Sequence, residues 1–122
     1  MVDIEQRGAP VAKGIVYVET RPATPERAAE YNTWYDEVHL PEVVAVDGFV
    51  SARRYAPVND DGPYVAMYEI EGDDLQAIVQ GMLEVAGGGG FRMSDAMQAD
   101  PPPTIRLLEL TTSYEPESAG SR

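Results

Sequence analysis

The chain has 122 residues, room for one domain and little for a second. It contains no cysteine, which excludes a disulfide framework and thiolate chemistry. With 21 acidic residues against 9 basic ones its formal charge is −12, the wrong sign for a nucleic-acid binder, which needs a basic footprint.

The opening MVDIEQRGAPVAKG lacks a basic region followed by an apolar run, the signature of a secretory signal. No apolar stretch approaches the ~18 residues of a membrane span. The expectation is a cytoplasmic protein with neither a membrane nor a nucleic acid as partner.

In chain order, residues 1–12 read as a loose lead-in, 13–112 as a single α+β domain and 113–122 as a frayed tail. KGIVYVET, residues 13–20, is short and rich in β-branched residues, which suits a strand. RPATP interrupts it. Thr24 offers a capping hydroxyl, and Pro25 suits the first position of a helix. That helix is expected to reach Val38 or His39, because Pro41 disfavours helical geometry at Leu40. PEVVAVDG then reads as an irregular turn closed by Asp47 and Gly48. FVSARRYAP, residues 49–57, and PYVAMYEIE, residues 63–71, read as a hairpin across the turn cluster VNDDG.

Asp73 is the expected N-cap of a second helix over 74–86. Its apolar stripe is Leu75, Ile78, Val79, Met82, Leu83 and Val85. After GGGG at 87–90, FRMSDAMQAD reads as a short helix and PPP as a stop. TIRLLELTT, residues 104–112, is the fourth strand. The order β-α-β-β-α-β is the ferredoxin-like arrangement, a four-stranded antiparallel sheet with both helices on one face. Strand alternation puts Tyr64, Ala66, Tyr68 and Ile70 on one face and Val65 and Met67 on the other. Ile105 and Leu107 likewise oppose Leu108 and Leu110. Apolar side chains on both faces call for cover on both. A second copy, sheet against sheet, is the economical cover, so the expected partner is the chain itself.

The richest stretch is YNTWYDEVHLPEVVAVDGF, which holds the only tryptophan and the only histidine. Tyr31, Tyr35 and His39 recur every four residues and share a helix stripe. His39 falls in the expected last turn, where the helix dipole tends to raise an imidazole's pKa. Asp36 stands three residues earlier. A carboxylate on one ring nitrogen would fix the tautomer and free the other nitrogen as a general base. The plain alternative is a helix-capping histidine. Tyr31, Trp34 and Tyr35 would form the wall of a cavity suited to a flat oxygenated ligand, or simply core. One histidine and no cysteine give no spacing for a metal, so no metal and no cofactor are expected.

YNTWYDEVHLPEVVAVDGFVSARRYAP resembles the segment from helix one to strand two of the EthD-like proteins, in the dimeric α+β-barrel superfamily. The matching residues are Trp34-Tyr35, His39-Leu40-Pro41, Gly48-Phe49 and Arg53-Arg54-Tyr55. PYVAMYEIEGDD is similar to that family's third strand and its exit. The resemblance implies a homodimer with a small hydrophobic cavity in each subunit, between helices and sheet, and the histidine at its wall. Superfamily members include polyketide cyclases, muconolactone isomerases, cofactor-free quinone-forming monooxygenases and haem-degrading enzymes. Haem degraders use an Asn, a Trp and a His. Here Asn32 and Trp34 lie about 200° apart round a helix, which speaks against that task.

The remaining candidate ligand contacts are Arg53, Tyr55, Tyr68 and Phe91. Arg53 and Arg54 point to opposite faces of a strand, and alternation alone leaves open which one faces inward. Tyr17, Tyr55 and Tyr68 stand under the same ambiguity. GGGG before Phe91 and Met93 would suit a lid hinge, or a surface loop with Phe91 docked in the core. The expected activity is cofactor-independent acid–base chemistry on a small hydrophobic or aromatic oxygenated molecule. His39 would be the acid/base and Asp36 its orienter. The alternatives are a cofactor-free monooxygenase acting on phenols or hydroquinones, and a binding protein without chemistry.

Overall fold

The computed structural model describes residues 11–59 and 61–116. The lead-in as far as residue 10, residue 60 of the turn cluster and the end of the tail from residue 117 lie outside the described residues. Four strands form one antiparallel sheet in the order β2-β3-β1-β4: β1 Ala12–Thr20, β2 Phe49–Tyr55, β3 Tyr64–Gly72 and β4 Thr104–Glu109. The helices are α1 Ala28–Trp34, α2 Leu40–Val44 and α3 Leu75–Gly87. A 3₁₀ turn, Pro25–Arg27, leads into α1. The element order is the expected α+β, ferredoxin-like one.

The register decides the faces. Val16 lies between Tyr68 and Leu107, and Val18 between Ala66 and Ile105. Ala52 pairs with Tyr68, and Arg54 with Ala66. These side chains share the helix-covered face with Phe49, Tyr64 and Ile70. The core forms there. Val16, Val18, Ala66, Tyr68 and Ile70 come from the sheet, Tyr31, Trp34, Tyr35 and Val43 from the first helical run, and Leu75 and Met82 from α3. Burying each large side chain stabilises by ~1.5–3 kcal/mol. The opposite face carries Ile15, Tyr17, Val65, Met67 and Leu108 beside Arg53, Glu69 and Arg106.

The first helix does not stop before Pro41. It continues as a π turn, Tyr35–His39, straight into α2, and Leu40 is helical at φ −58° and ψ −48°. The steric rule against helix before proline is met by widening the helix, not by breaking it. Proline removes one backbone donor and crowds the carbonyl four residues back. An i→i+5 turn places an extra residue at that point, and the Leu40 N–H bonds to the Tyr35 carbonyl. The run ends near Ala45, and Gly48 turns the chain at φ +92°, a left-handed conformation suited to glycine.

Smaller corrections concern ends and caps. Asp74, not Asp73, caps α3 by accepting from the Ala77 N–H at 3.1 Å. Thr24 makes no side-chain cap; its carbonyl accepts from the Arg27 N–H. The four glycines end α3 in a Schellman arrangement. The Gly90 N–H reaches the Val85 carbonyl, the Gly89 N–H reaches that of Ala86, and Gly89 has φ +79°. FRMSDAMQAD is not a helix but an irregular strap. It is tied back by a bridge between Pro22 and Met97 and by the Ala23 N–H to the Ala96 carbonyl. No helix among the described residues is long and apolar enough to cross a membrane.

Candidate functional site

The π turn sets the geometry around His39. On a regular helix, residues 34 and 39 would lie on different faces. The wider turn brings residues five apart nearly above one another. The His39 ring stacks on Trp34, with centroids 4.7 Å apart and planes 21° apart. Tyr35 and Phe91 meet it edge-on at 5.1 and 5.8 Å. Three aromatic side chains thus cage the imidazole.

His39 lines a cavity of about 150 Å³ between the first helical run, α3 and the sheet. Its wall is mostly apolar: Val18, Val43, Met82, Phe91, Met97 and Ile105 are typical members. Thr20, Tyr35, His39 and Tyr68 provide polar groups, and no charged side chain lines it. Two of these groups are orphaned. Neither His39 Nδ1 nor the Tyr68 hydroxyl, both buried, has a hydrogen-bond partner among the described residues. The Tyr68 hydroxyl stands close enough to that of Tyr35 for a loose contact in which each shifts the other's proton affinity, but no hydrogen bond of good geometry forms between them. Buried polar groups are nearly always paired, so two orphans on one cavity are a departure that calls for a cause.

Electrostatics follow from burial. Desolvation lowers the His39 pKa to about 4, against a small opposing pull from the Glu42 carboxylate. The expected rise from a helix C-terminus does not occur, because His39 sits inside the helical run and is partly withdrawn from water. The imidazole is neutral at pH 7. Burial also raises the pKa values of Tyr31, Tyr35 and Tyr68, so their hydroxyls keep their protons.

Asp36 does not orient His39. Its side chain is 58% exposed and accepts from Arg54 Nη1 at 2.7 Å, on the far side of the helix stripe. Arg54 is the inward arginine. Its side chain is 11% exposed, donates to Asn32 Oδ1 at 2.9 Å and lies 4.3 Å from the Tyr35 ring centre. Arg53 and Tyr55, nominated as ligand contacts, instead point to the open face of the sheet, paired with Met67 and Val65. Both are exposed, Tyr55 by 47%. Tyr17 is on that face too and donates to Glu19. Tyr68 is thus the strand tyrosine that reaches the cavity.

Of the helix aromatics, Tyr35 lines the cavity, Trp34 backs the imidazole, and Tyr31 stands behind, its hydroxyl hydrogen-bonded to that of Thr20. Phe91 is buried and lines the cavity as well. Asn32 turns away toward Arg54 and the Ala28 carbonyl, so it and Trp34 do not share the cavity. Sequence reasoning missed Thr20, Glu42 and Arg92. Thr20 continues the Val16, Val18 alternation and was findable by it. Glu42 receives the Arg92 backbone N–H and Nε–H at 2.8 and 2.7 Å, a long-range tie with no sequence signal. Among the described residues, no group of three or more His, Cys, Asp or Glu is placed to hold a metal ion.

No protein-family model matches the chain, and no curated protein matches it. Solved structures with this architecture include a protein of unknown function, NE2512, from Nitrosomonas europaea. It aligns with TM-score 0.54 and 19% identity over 86% of this chain and 95% of that one. Another is a monooxygenase, ActVA-Orf6 of Streptomyces coelicolor, in complex with Nanaomycin D. It aligns with TM-score 0.52 and 19% identity over 85% and 93% of the two chains. At this identity the likeness to both neighbours is one of fold.

Proposed function

We propose that the chain is an EthD-like enzyme that moves a proton, without a cofactor, on a small uncharged oxygenated ring compound. One observation carries the reading: the orphaned His39 Nδ1 and Tyr68 hydroxyl belong to residues lining one largely apolar cavity. An acceptor and a donor left unpaired in a largely apolar site are poised for a ligand that supplies both partners. A wall without charged side chains favours a neutral guest. A cavity of about 150 Å³ matches a single six-membered ring, since an engineered void of that size accepts benzene.

The chemistry is proton abstraction beside a carbonyl, or from a phenol. The neutral His39 imidazole takes the proton. The electron pair moves onto the substrate oxygen, where the Tyr68 hydroxyl donates to the developing charge. Return of the proton to another atom completes an isomerisation, cyclisation or dehydration. The imidazolium and the oxyanion stabilise each other in a site of low dielectric. The same reading takes residues 13–112 as one barrel domain of a cytoplasmic protein. A second copy would cover the open sheet face, which carries Ile15, Tyr17, Val65, Met67 and Leu108.

A second reading is a monooxygenase acting on phenols or hydroquinones, favoured by the ligand-bound neighbour of the same fold. There the anion made by His39 would react with dioxygen. The two separate by experiment. Deuterium wash-in from D₂O is measured on one-ring ketones, and oxygen uptake on phenols and hydroquinones. His39→Ala is expected to lower the active signal by about 10²–10⁴. Tyr68→Phe should lower it by about 10². Wild-type protein that binds such rings but matches the His39→Ala background in both assays is a carrier, and the enzymatic reading falls.

A further inference from the structure

One wall of the cavity is a segment with no regular structure, between α3 and β4. Phe91, Met93 and Met97, all on this strap, line the cavity. At one end the strap leaves α3 through Gly87–Gly90. Added side chains at Gly87 and Gly89 would meet nothing within 4 Å, whereas one at Gly90 would strike Val85 at 2.6 Å. Toward the other end it is pinned by the Gln98 N–H to the Arg21 carbonyl at 2.8 Å and by the bridge of Pro22 with Met97.

Between these ends, three polar contacts converge on Arg92. The Trp34 indole N–H donates to its carbonyl at 2.7 Å. Its own backbone N–H and its Nε–H both donate to the Glu42 carboxylate. A separate tie, Arg27 to Asp95 at 2.8 Å, holds the outer bend. Phe91, whose ring meets the His39 imidazole edge-on, is the residue next to Arg92. Trp34, which holds the Arg92 carbonyl, is the residue stacked on that imidazole.

We propose that Glu42 and Arg92 are positioning residues that latch the strap, holding Phe91 against His39 and narrowing the way into the cavity. The latch rests on the cavity being the ligand site, but its movement is testable without any ligand. When Glu42 releases Arg92, the strap swings about the glycines and carries Phe91 off the imidazole. The Trp34 indole loses its acceptor in the same motion. Charge-assisted bonds to a carboxylate are strong enough to hold the strap shut most of the time. They are weak enough to open on the timescale of loop motions that gate active sites.

The chain's single tryptophan gives one indole N–H signal, and its hydrogen exchange reports the latch. Glu42→Ala, which removes both bonds, should speed that exchange about tenfold. Arg92→Ala, which removes only a largely exposed side-chain tie, should speed it about threefold, and Arg92→Lys should restore part of the protection. Core amides of β1 and β3 should keep their wild-type rates. Uniform acceleration of all amides would show general destabilisation and overturn the proposal, as would an indole unmoved by Glu42→Ala. A second arm uses phenol as probe, followed by the imidazole signals of His39. Faster binding of phenol to Glu42→Ala than to wild type supports the latch as a gate. An identical rate in both overturns the gating role. A faster indole with no phenol binding in any variant supports a latch that moves and overturns the ligand reading of the cavity.

Discussion

At the scale of single residues, the molecule invests in two groups that folding alone would avoid. The first is the His39 imidazole. In the unfolded chain it takes a proton near pH 6.5, and in the folded protein only near 4. Between those values the unfolded state binds more protons, so stability is full above pH 6.5 and is lost as pH falls toward 4. The loss is about 2–3 kcal/mol by pH 4, from 1.36 kcal/mol per pKa unit. Denaturant unfolding across pH 4–7 should show this slope, and His39→Gln should flatten it. An imidazole titrating near 6.5 by NMR would contradict the buried placement. The second group is the Tyr68 hydroxyl. Removing an unpaired buried hydroxyl relieves its desolvation, so Tyr68→Phe should raise stability by about 1 kcal/mol in thermal melts while weakening activity. A residue kept at a cost to stability is the mark of function. Both residues were visible as candidates in the sequence. His39 stood out as the lone imidazole. Tyr68 was one of three strand tyrosines, and strand alternation defines two faces without saying which one the helices cover. That choice depends on long-range packing, which also sent Arg54 inward and Arg53 out and gave Asp36 to Arg54.

Among the elements, the first helical run departs most from its sequence expectation. Strands and α3 came out within a residue or two, apart from a β4 and β2 shorter at their ends, because alternation and an apolar stripe are local signals. The π turn is not local in that sense. Proline 41 reads as a stop, and only packing of Val43 and Tyr35 into the core makes continuing worthwhile. Pro41→Ala restores a donor and removes the crowding, so the turn is expected to tighten toward a regular α-helix. Residues 34 and 39 would then part, and the imidazole would lose its stacking partner. The measurable outcome is a His39 pKa that moves up from about 4 toward its ordinary value, with overall stability unchanged or higher. Gly48 is the other fixed point. A methyl there would meet Ile78 Cγ1 at 2.6 Å on a backbone with φ +92°. Gly48→Ala is therefore expected to destabilise by about 1–3 kcal/mol in chemical denaturation. The strap, by contrast, is irregular where its sequence suggests a short helix. Its ties to Glu42, Trp34 and Arg27 join distant parts of the chain and leave no periodic trace.

At the scale of the whole molecule, the helices cover one face of the sheet, and among the described residues no element packs on the other. Met67 lies near the middle of that face, with Tyr17 and Arg53 as cross-strand neighbours. If a second copy covers it, Met67→Lys should convert a dimer into a monomer in sedimentation velocity. A wild-type chain that sediments as a monomer at micromolar concentration would remove the barrel from the account. The expectation of two covered faces came from strand alternation and needed no structure; the identity of the cover is a matter for that measurement. The formal charge of −12 bears on the outcome. Two such acidic bodies repel at a distance, while the row across the middle of the face, Arg53, Met67, Tyr17 and Arg106, holds no acid to add to that repulsion. Dissolved ions shorten the reach of the repulsion and leave the apolar contact intact. Most complexes held by charge loosen in brine; this pair ought to tighten, and to come apart most readily in nearly pure water.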